Sequence, residues 1–245
     1  MSLLSNLKQI TKKTLLPPYC RLRYGAWGRY LAQARLIEGW TTPAELVELA
    51  KVSQALPENP VIVEIGSFLG RSTVLFAGVR KLRGNGKVHA IDPFDGSGDI
   101  YSIPIYHQIA NQLKMSLFER FYYNIHSADL LEWIKVHQGT AETVVPKWTQ
   151  PIDLLFLDGD QSPEGVRSAY EQWSPFLKLG GLIVIHNSGD RHYEPDHDGH
   201  RRLVVETIRS PQYKNIYCVG STTFAYKVSE NISKPVKAPT LNRTV

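Results

Sequence analysis

The 245-residue chain has only two cysteines, Cys20 and Cys218, far apart and in no metal or redox spacing. That excludes a disulfide framework and a cysteine-rich metal module, and it makes a reducing cytoplasm the default compartment. No apolar run approaches the ~20 residues that a membrane span needs. There is no internal repeat and no low-complexity block. A Gly-x-Gly-x-x-Gly run, the usual cradle for a dinucleotide pyrophosphate, is missing as well. Acidic residues are absent from the start of the chain: Lys8, Lys12, Lys13, Arg21, Arg23, Arg29 and Arg35 all precede Glu38, the first acid.

What is present suits a globular protein with a sizeable core: 42% hydrophobic residues, 10% aromatics and a net charge of +5. The length fits one α/β domain with a modest extension. Residues 1–37 read as a basic N-terminal arm, punctuated by Pro17-Pro18, whose first residues have the apolar and lysine spacing of a short amphipathic helix. Such an arm suits contact with nucleic acid, an anionic membrane surface or an acidic substrate, or contacts within a homodimer; a solvated basic extension is the simplest reading. Residues 229–245 read as a flexible tail.

Between them, strand and helix signals alternate. Thr42 before Pro43 predicts a capped helix running to about residue 55. Apolar runs at 61–65, 88–91, 134–137, 152–157 and 182–185 predict strands, with helices at 72–82, across 105–132 with a break near 124–128, at 140–145 and at 163–177. Residues 213–219 and 222–228, joined at Gly220-Ser221, predict a hairpin. The pattern predicts a Rossmann-like α/β fold: a doubly wound, mostly parallel seven-stranded sheet with an antiparallel C-terminal hairpin and an N-terminal helical arm.

In such a sheet, ligands bind beyond the carboxyl ends of the strands. The first strand exits through Glu64 into a turn bearing Gly66 and Gly70, and the others exit into Asp92, Asp158 and His186-Asn187. A carboxylate at the tip of strand one repels a pyrophosphate and favours an ammonium group. Asp92 is placed to accept both hydroxyls of a ribose, which an NAD-linked enzyme also requires. The loop DRHYEPDHDGH is dense in ligand-type side chains but matches no tight metal spacing, and predicts a hydrophilic lid.

The segments VEIGSFLGRST, AIDPFDG, LLFLDGDQSPEGV and LKLGGLIVIHN, in this order, resemble the class I S-adenosylmethionine-dependent methyltransferases. The similarity is greatest to the O-methyltransferase-like branch that includes the macrocin and catechol O-methyltransferases, and it spans residues 38–228. The resemblance implies O-methylation of a small-molecule or saccharide hydroxyl, with S-adenosylmethionine as methyl donor and no nucleic-acid partner. It places Trp40, Thr41, Glu64, Gly66, Ser67, Gly70 and Ser72 at the methionine end, Asp92 at the ribose, Gly139, Thr140 and Ala141 at the adenine, and Asp158 beside the cofactor. Metal-using relatives put their ligands where Asp158, His186 and Asn187 stand, which leaves Mg²⁺ open, although a histidine is a poor ligand for a hard cation. His186 is the first choice of general base, His192 the second, with Asp158 beside them. An NAD-linked enzyme and a cofactor-binding module without catalysis are the alternative readings.

Overall fold

The computed structural model describes residues 3–229, with side chains from residue 14 onward. The basic segment is helical: α1 (Leu3–Tyr24) continues through Pro17 and Pro18, and α2 (Gly28–Ala34) follows a short 3-10 turn. The expected interruption at the two prolines does not occur, even though each removes a helical N–H. Leu16 and Cys20 on α1, and Tyr30, Leu31, Ala32 and Ala34 on α2, are buried in the same core as the sheet, so residue 37 is not a packing boundary. The faces of residues 3–13, and all of 230–245, lie outside the described residues.

The capping signal at Thr42 is realised in α3 (Pro43–Ala55), where Thr42 and Glu45 form a reciprocal capping box. The α/β alternation then runs β1 (Val61–Ile65), α4 (Arg71–Arg83), β2 (Lys87–Asp92), α5 (Ser102–Gln112), α6 (Leu117–Ser127), β3 (Ile134–Gln138), α7 (Ala141–Val144), β4 (Ile152–Leu157), α8 (Pro163–Trp173), β5 (Leu177–Ile185), α9 (Gly199–Thr207), β6 (Tyr213–Val219) and β7 (Thr222–Lys227). The seven strands form one sheet in the order β3-β2-β1-β4-β5-β7-β6. The first five are parallel, and β7 is antiparallel to both neighbours.

Two boundaries differ from expectation. The helical region breaks near residue 128 as expected, where α6 ends at Ser127, but it breaks a second time between α5 and α6, because Ser116 and Glu119 form a second capping box that starts α6. Helix α8 stops at Trp173 and tightens into a 3-10 turn (Ser174–Phe176), since Pro175 has no N–H to continue the helical hydrogen-bond ladder.

Strand alternation divides the core into two layers. Ile62, Val88, Ala90, Leu154, Phe156 and Val184 face α3 and α4, whereas Val63, Ile65, Leu155, Leu157, Ile183 and Ile185 face α8 and α9. Glu64 shares the phase of Ile62, so its side chain enters the layer beneath α4.

Candidate active site

The strand ends are held level by hydrogen bonds that carry the ladder into the loops. Gly66 N donates to Ile91 O (2.9 Å), Asp158 N to Ile65 O (2.8 Å), Gly139 N to Asp92 O (3.0 Å) and His186 N to Leu157 O (3.1 Å). Above them lies a cavity of about 400 Å³, within the range of small-molecule sites. The order reversal between β1 and β4 puts it at the topological switch point.

Of the residues expected to hold a cofactor, Trp40, Thr41, Gly66, Ser67, Ser72, Asp92, Gly139, Thr140, Ala141 and Asp158 line this cavity. Gly66 has φ +89°, and a Cβ there would lie 2.3 Å from Asp158 O. The chain can make this turn only with glycine. Gly70, also at positive φ, caps α4 instead and faces Phe121 and Ile125 rather than the cavity. The N-terminus of α4, with Arg71 and Ser72, opens onto the cavity with no acid in its first turn. Arg71 is committed to main-chain carbonyls, donating to Thr41 O (3.0 Å) and Ile37 O (2.6 Å).

Asp92 accepts from Phe68 N (2.8 Å) and Phe94 N (2.7 Å), one bond to each oxygen. Phe68 and Phe94 sit at φ +44° and +56°, conformations that non-glycine residues adopt only where the surroundings hold them. Burial raises the Asp92 pKa, opposed by these amides. Each oxygen keeps a lone pair for a further donor. The rings of Trp40, Phe68 and Tyr106 cluster with centroids 5.1–5.5 Å apart at one wall.

Glu64 corrects the sequence reading. It is fully buried and does not line the cavity. Its Oε2 accepts from Ser67 Oγ (2.9 Å) and from Thr73 Oγ1. The carboxylate therefore braces the turn from below and does not meet an ammonium directly. The cause is register: an acid in phase with Ile62 points under α4. Burial raises its pKa to about 7, against the hydroxyls of Ser72, Thr73 and Ser67, which lower it. Because the folded value exceeds the unfolded one, stability falls as pH rises from 4.5 toward 7. Chemical denaturation of Glu64→Gln beside the unaltered chain is expected to show a stability difference that changes by about 3 kcal/mol between pH 4 and 8. A pH-independent difference would contradict the buried placement.

The catalytic choices are also rearranged. His192 is 85% exposed, off the cavity, with Glu194 its nearest acid at 3.9 Å. His186 lines the cavity wall but is 2% exposed, and its nitrogens are turned to acids: Nδ1 to Asp158 Oδ1 (2.6 Å) and Nε2 toward Glu45 Oε2 (3.8 Å). Burial lowers its pKa, but Asp158 and Glu45 raise it further, and the net shift is upward. Glu45 itself is fixed by Ser221 N (2.6 Å) and Ser221 Oγ (2.9 Å).

Sequence reading missed a second acid–imidazole pair. His197 Nδ1 lies 2.8 Å from Asp99 Oδ1, with His197 lining the cavity and Asp99 buried behind it. Burial raises the Asp99 pKa, but bonds from Ser102 and His197 outweigh that, and the net shift is downward.

A family model described as a methyltransferase domain matches residues 63–188, just over half of the chain. The chain belongs to this methyltransferase family. Among solved structures, the methyltransferase shares its fold with the O-methyltransferase TomG from Streptomyces achromogenes, crystallised with S-adenosylmethionine (18% identity, TM-score 0.58, covering 87% of this chain and 96% of that one). The O-methyltransferase NovP is similar at 16% identity and TM-score 0.59, covering 92% of this chain and 100% of that one. An rRNA methylase from Streptococcus thermophilus is similar at 14% identity and TM-score 0.51, covering 79% of this chain and 99% of that one. The fold is thus common to proteins with different acceptors.

The methyltransferase's own residues do not fit the metal expectation. Asp158 and His186 are bonded to each other. Asn187 Oδ1 accepts from Arg191 Nη2 (2.7 Å) and Ser221 Oγ (3.3 Å), while Asn187 Nδ2 donates to Gln161 Oε1 (3.1 Å). A histidine sharing its proton with the would-be carboxylate ligand is not a donor set for Mg²⁺. Among the described residues no cluster of three ligand-type side chains suits a metal ion.

Proposed function

We propose that the methyltransferase uses S-adenosylmethionine to methylate the hydroxyl of a small molecule or saccharide. The observation that carries this reading is a single cavity lined by two chemically different sets of residues. One set is a cradle of Gly66, Ser67, Asp92 and the Gly139–Ala141 segment at the strand tips. The other, taken in this reading as the acceptor end, is Asp158, His186, His197 and His200.

The cradle matches the donor part by part. Gly66 permits close backbone approach, and the free N–H groups at the start of α4 suit the carboxylate of a methionine tail. Asp92, already held by two amides, offers its remaining lone pairs to two ribose hydroxyls. Thr140 spends its hydroxyl capping α7, accepting from Thr143 N (3.3 Å), so an adenine there would be met by main chain and by Ala141. When bound, the donor supplies a methyl group on a positively charged sulfur that leaves as a neutral thioether. The protein's task is then to align the acceptor oxygen with that methyl and to receive its proton, orientation alone supplying several kcal/mol.

The acceptor end is rich in acid. Asp158 and Asp160 line it, and among the described residues Arg71 is the one arginine or lysine of the cavity wall, already engaged with carbonyls. An uncharged hydroxyl compound suits this field better than an anionic one. His186, set behind Asp158, acts in this reading as a positioning residue. His186→Ala is expected to lower turnover at least tenfold, with affinity for S-adenosylhomocysteine within about threefold, because Asp158 loses the N–H that fixes it. Turnover unchanged in that variant would remove His186 from the mechanism.

The proposal is tested by incubating the protein with methyl-labelled S-adenosylmethionine and a panel of phenols and glycosides. Transfer of label to a hydroxyl is expected. Binding of NAD in place of S-adenosylhomocysteine would favour the NAD-linked reading instead.

A further inference from the structure

Three of the four histidines that bear on this site are poorly placed to take a proton from an acceptor. His192 is off the cavity, His186 has both nitrogens turned to acids in the interior, and His200 is buried with its Nδ1 unpartnered. His197 differs from all of them. It lines the cavity, its side chain is 23% exposed, and only Nδ1 is engaged. Among the described residues Nε2 makes no hydrogen bond.

The acid behind it is unusually well fixed. Asp99 also accepts from Tyr101 N (3.0 Å), Ser102 N (3.1 Å) and Ser102 Oγ (2.6 Å), all at the start of α5. A carboxylate tied to the protein body and facing Nδ1 keeps the proton on that nitrogen, which leaves Nε2 with a free lone pair. The loop carrying His197 is anchored at its far end as well. Gly199 N donates to Gln161 O (3.0 Å), and a Cβ at Gly199 would lie 2.5 Å from Ser162 O. This contact ties the start of α9 to the loop that follows Asp158.

We propose that His197, oriented by Asp99, is the general base of the methyl transfer. The inference rests on the hydroxyl-methylation reading above. As the acceptor oxygen bonds to the methyl carbon, the carbon–sulfur bond breaks and its electron pair stays on sulfur. The hydroxyl proton passes to His197 Nε2, and Asp99 stabilises the resulting imidazolium until the proton leaves to solvent.

The competing role is mechanical: the His197–Asp99 bond merely pins the lid. His197→Gln separates the two, because its amide can still donate to Asp99 but has no basic nitrogen. With a hydroxyl acceptor from the panel, His197→Ala and His197→Gln are each expected to lower kcat about 100-fold. Acceptor KM and affinity for S-adenosylhomocysteine should stay within about threefold, and Asp99→Asn should lower kcat about tenfold. A His197→Gln enzyme retaining kcat within threefold would overturn the assignment and leave the lid anchor. If the unaltered protein binds S-adenosylhomocysteine but methylates no member of the panel, the hydroxyl-methylation reading fails and the base assignment falls with it.

Discussion

Gly66→Ala is expected to weaken binding of S-adenosylhomocysteine more than about 1000-fold, a loss of about 4 kcal/mol. The added methyl would lie 2.3 Å from Asp158 O and 2.6 Å from Gly159 Cα, backbone atoms that cannot rotate away, at a φ of +89° that disfavours any side chain. Relief requires the ends of β1 and β4 to separate, and those ends form the floor of the cavity. A lower melting temperature should accompany the loss. Gly84→Ala controls for the backbone strain alone. Gly84 caps the other end of α4 at φ +70° with open space around it, so it should cost about 1 kcal/mol of stability and leave ligand affinity unchanged. Equal ligand affinity in Gly66→Ala and the unaltered chain would show that the cradle is not the binding site.

Asp92→Ala should weaken the same ligand by more than about 100-fold. Hydrogen bonds to a charged group contribute about 1.5–3 kcal/mol each, and two ribose hydroxyls are lost together. The substitution also strips the amides of Phe68 and Phe94 of their acceptor, loosening two residues held at positive φ. Folding stability should change less than affinity, since removing a buried carboxylate also removes its desolvation cost. Asp92→Asn keeps one acceptor oxygen and should fall between the two. Calorimetric titration distinguishes them, and an affinity within threefold for Asp92→Ala would contradict the ribose role.

The fold was legible because the strand signals are strong and local. Apolar runs ending in acids marked β1, β2 and β4, and the Gly220-Ser221 turn marked the C-terminal hairpin. The α5/α6 boundary carried a readable signal as well: Ser116 with Glu119 is a capping box, overlooked within a long helical stretch. That most of the residues expected at the cofactor would line one cavity was legible for the same reason, since strand ends in a parallel sheet converge.

The direction of Glu64 was a matter of phase. Its position after an apolar run suggested a ligand contact, yet period-two alternation from Ile62 sends it beneath α4 to Ser67 and Thr73. The expectation of a cofactor with an amino-acid tail therefore does not stand on that carboxylate; it stands on the family match and the remaining cradle. The Asp99–His197 pair joins residues 98 positions apart, and the Glu45–Ser221 link spans 176. No local spacing announces contacts of this kind.

Calorimetric titration of the full chain with S-adenosylhomocysteine, and separately with NAD, tests the central claim most directly. One molecule of S-adenosylhomocysteine should bind per chain, competitively with S-adenosylmethionine, and NAD should give no binding heat. Saturable NAD binding together with no heat from S-adenosylhomocysteine would contradict the assignment of the strand-end cavity to a methyl donor.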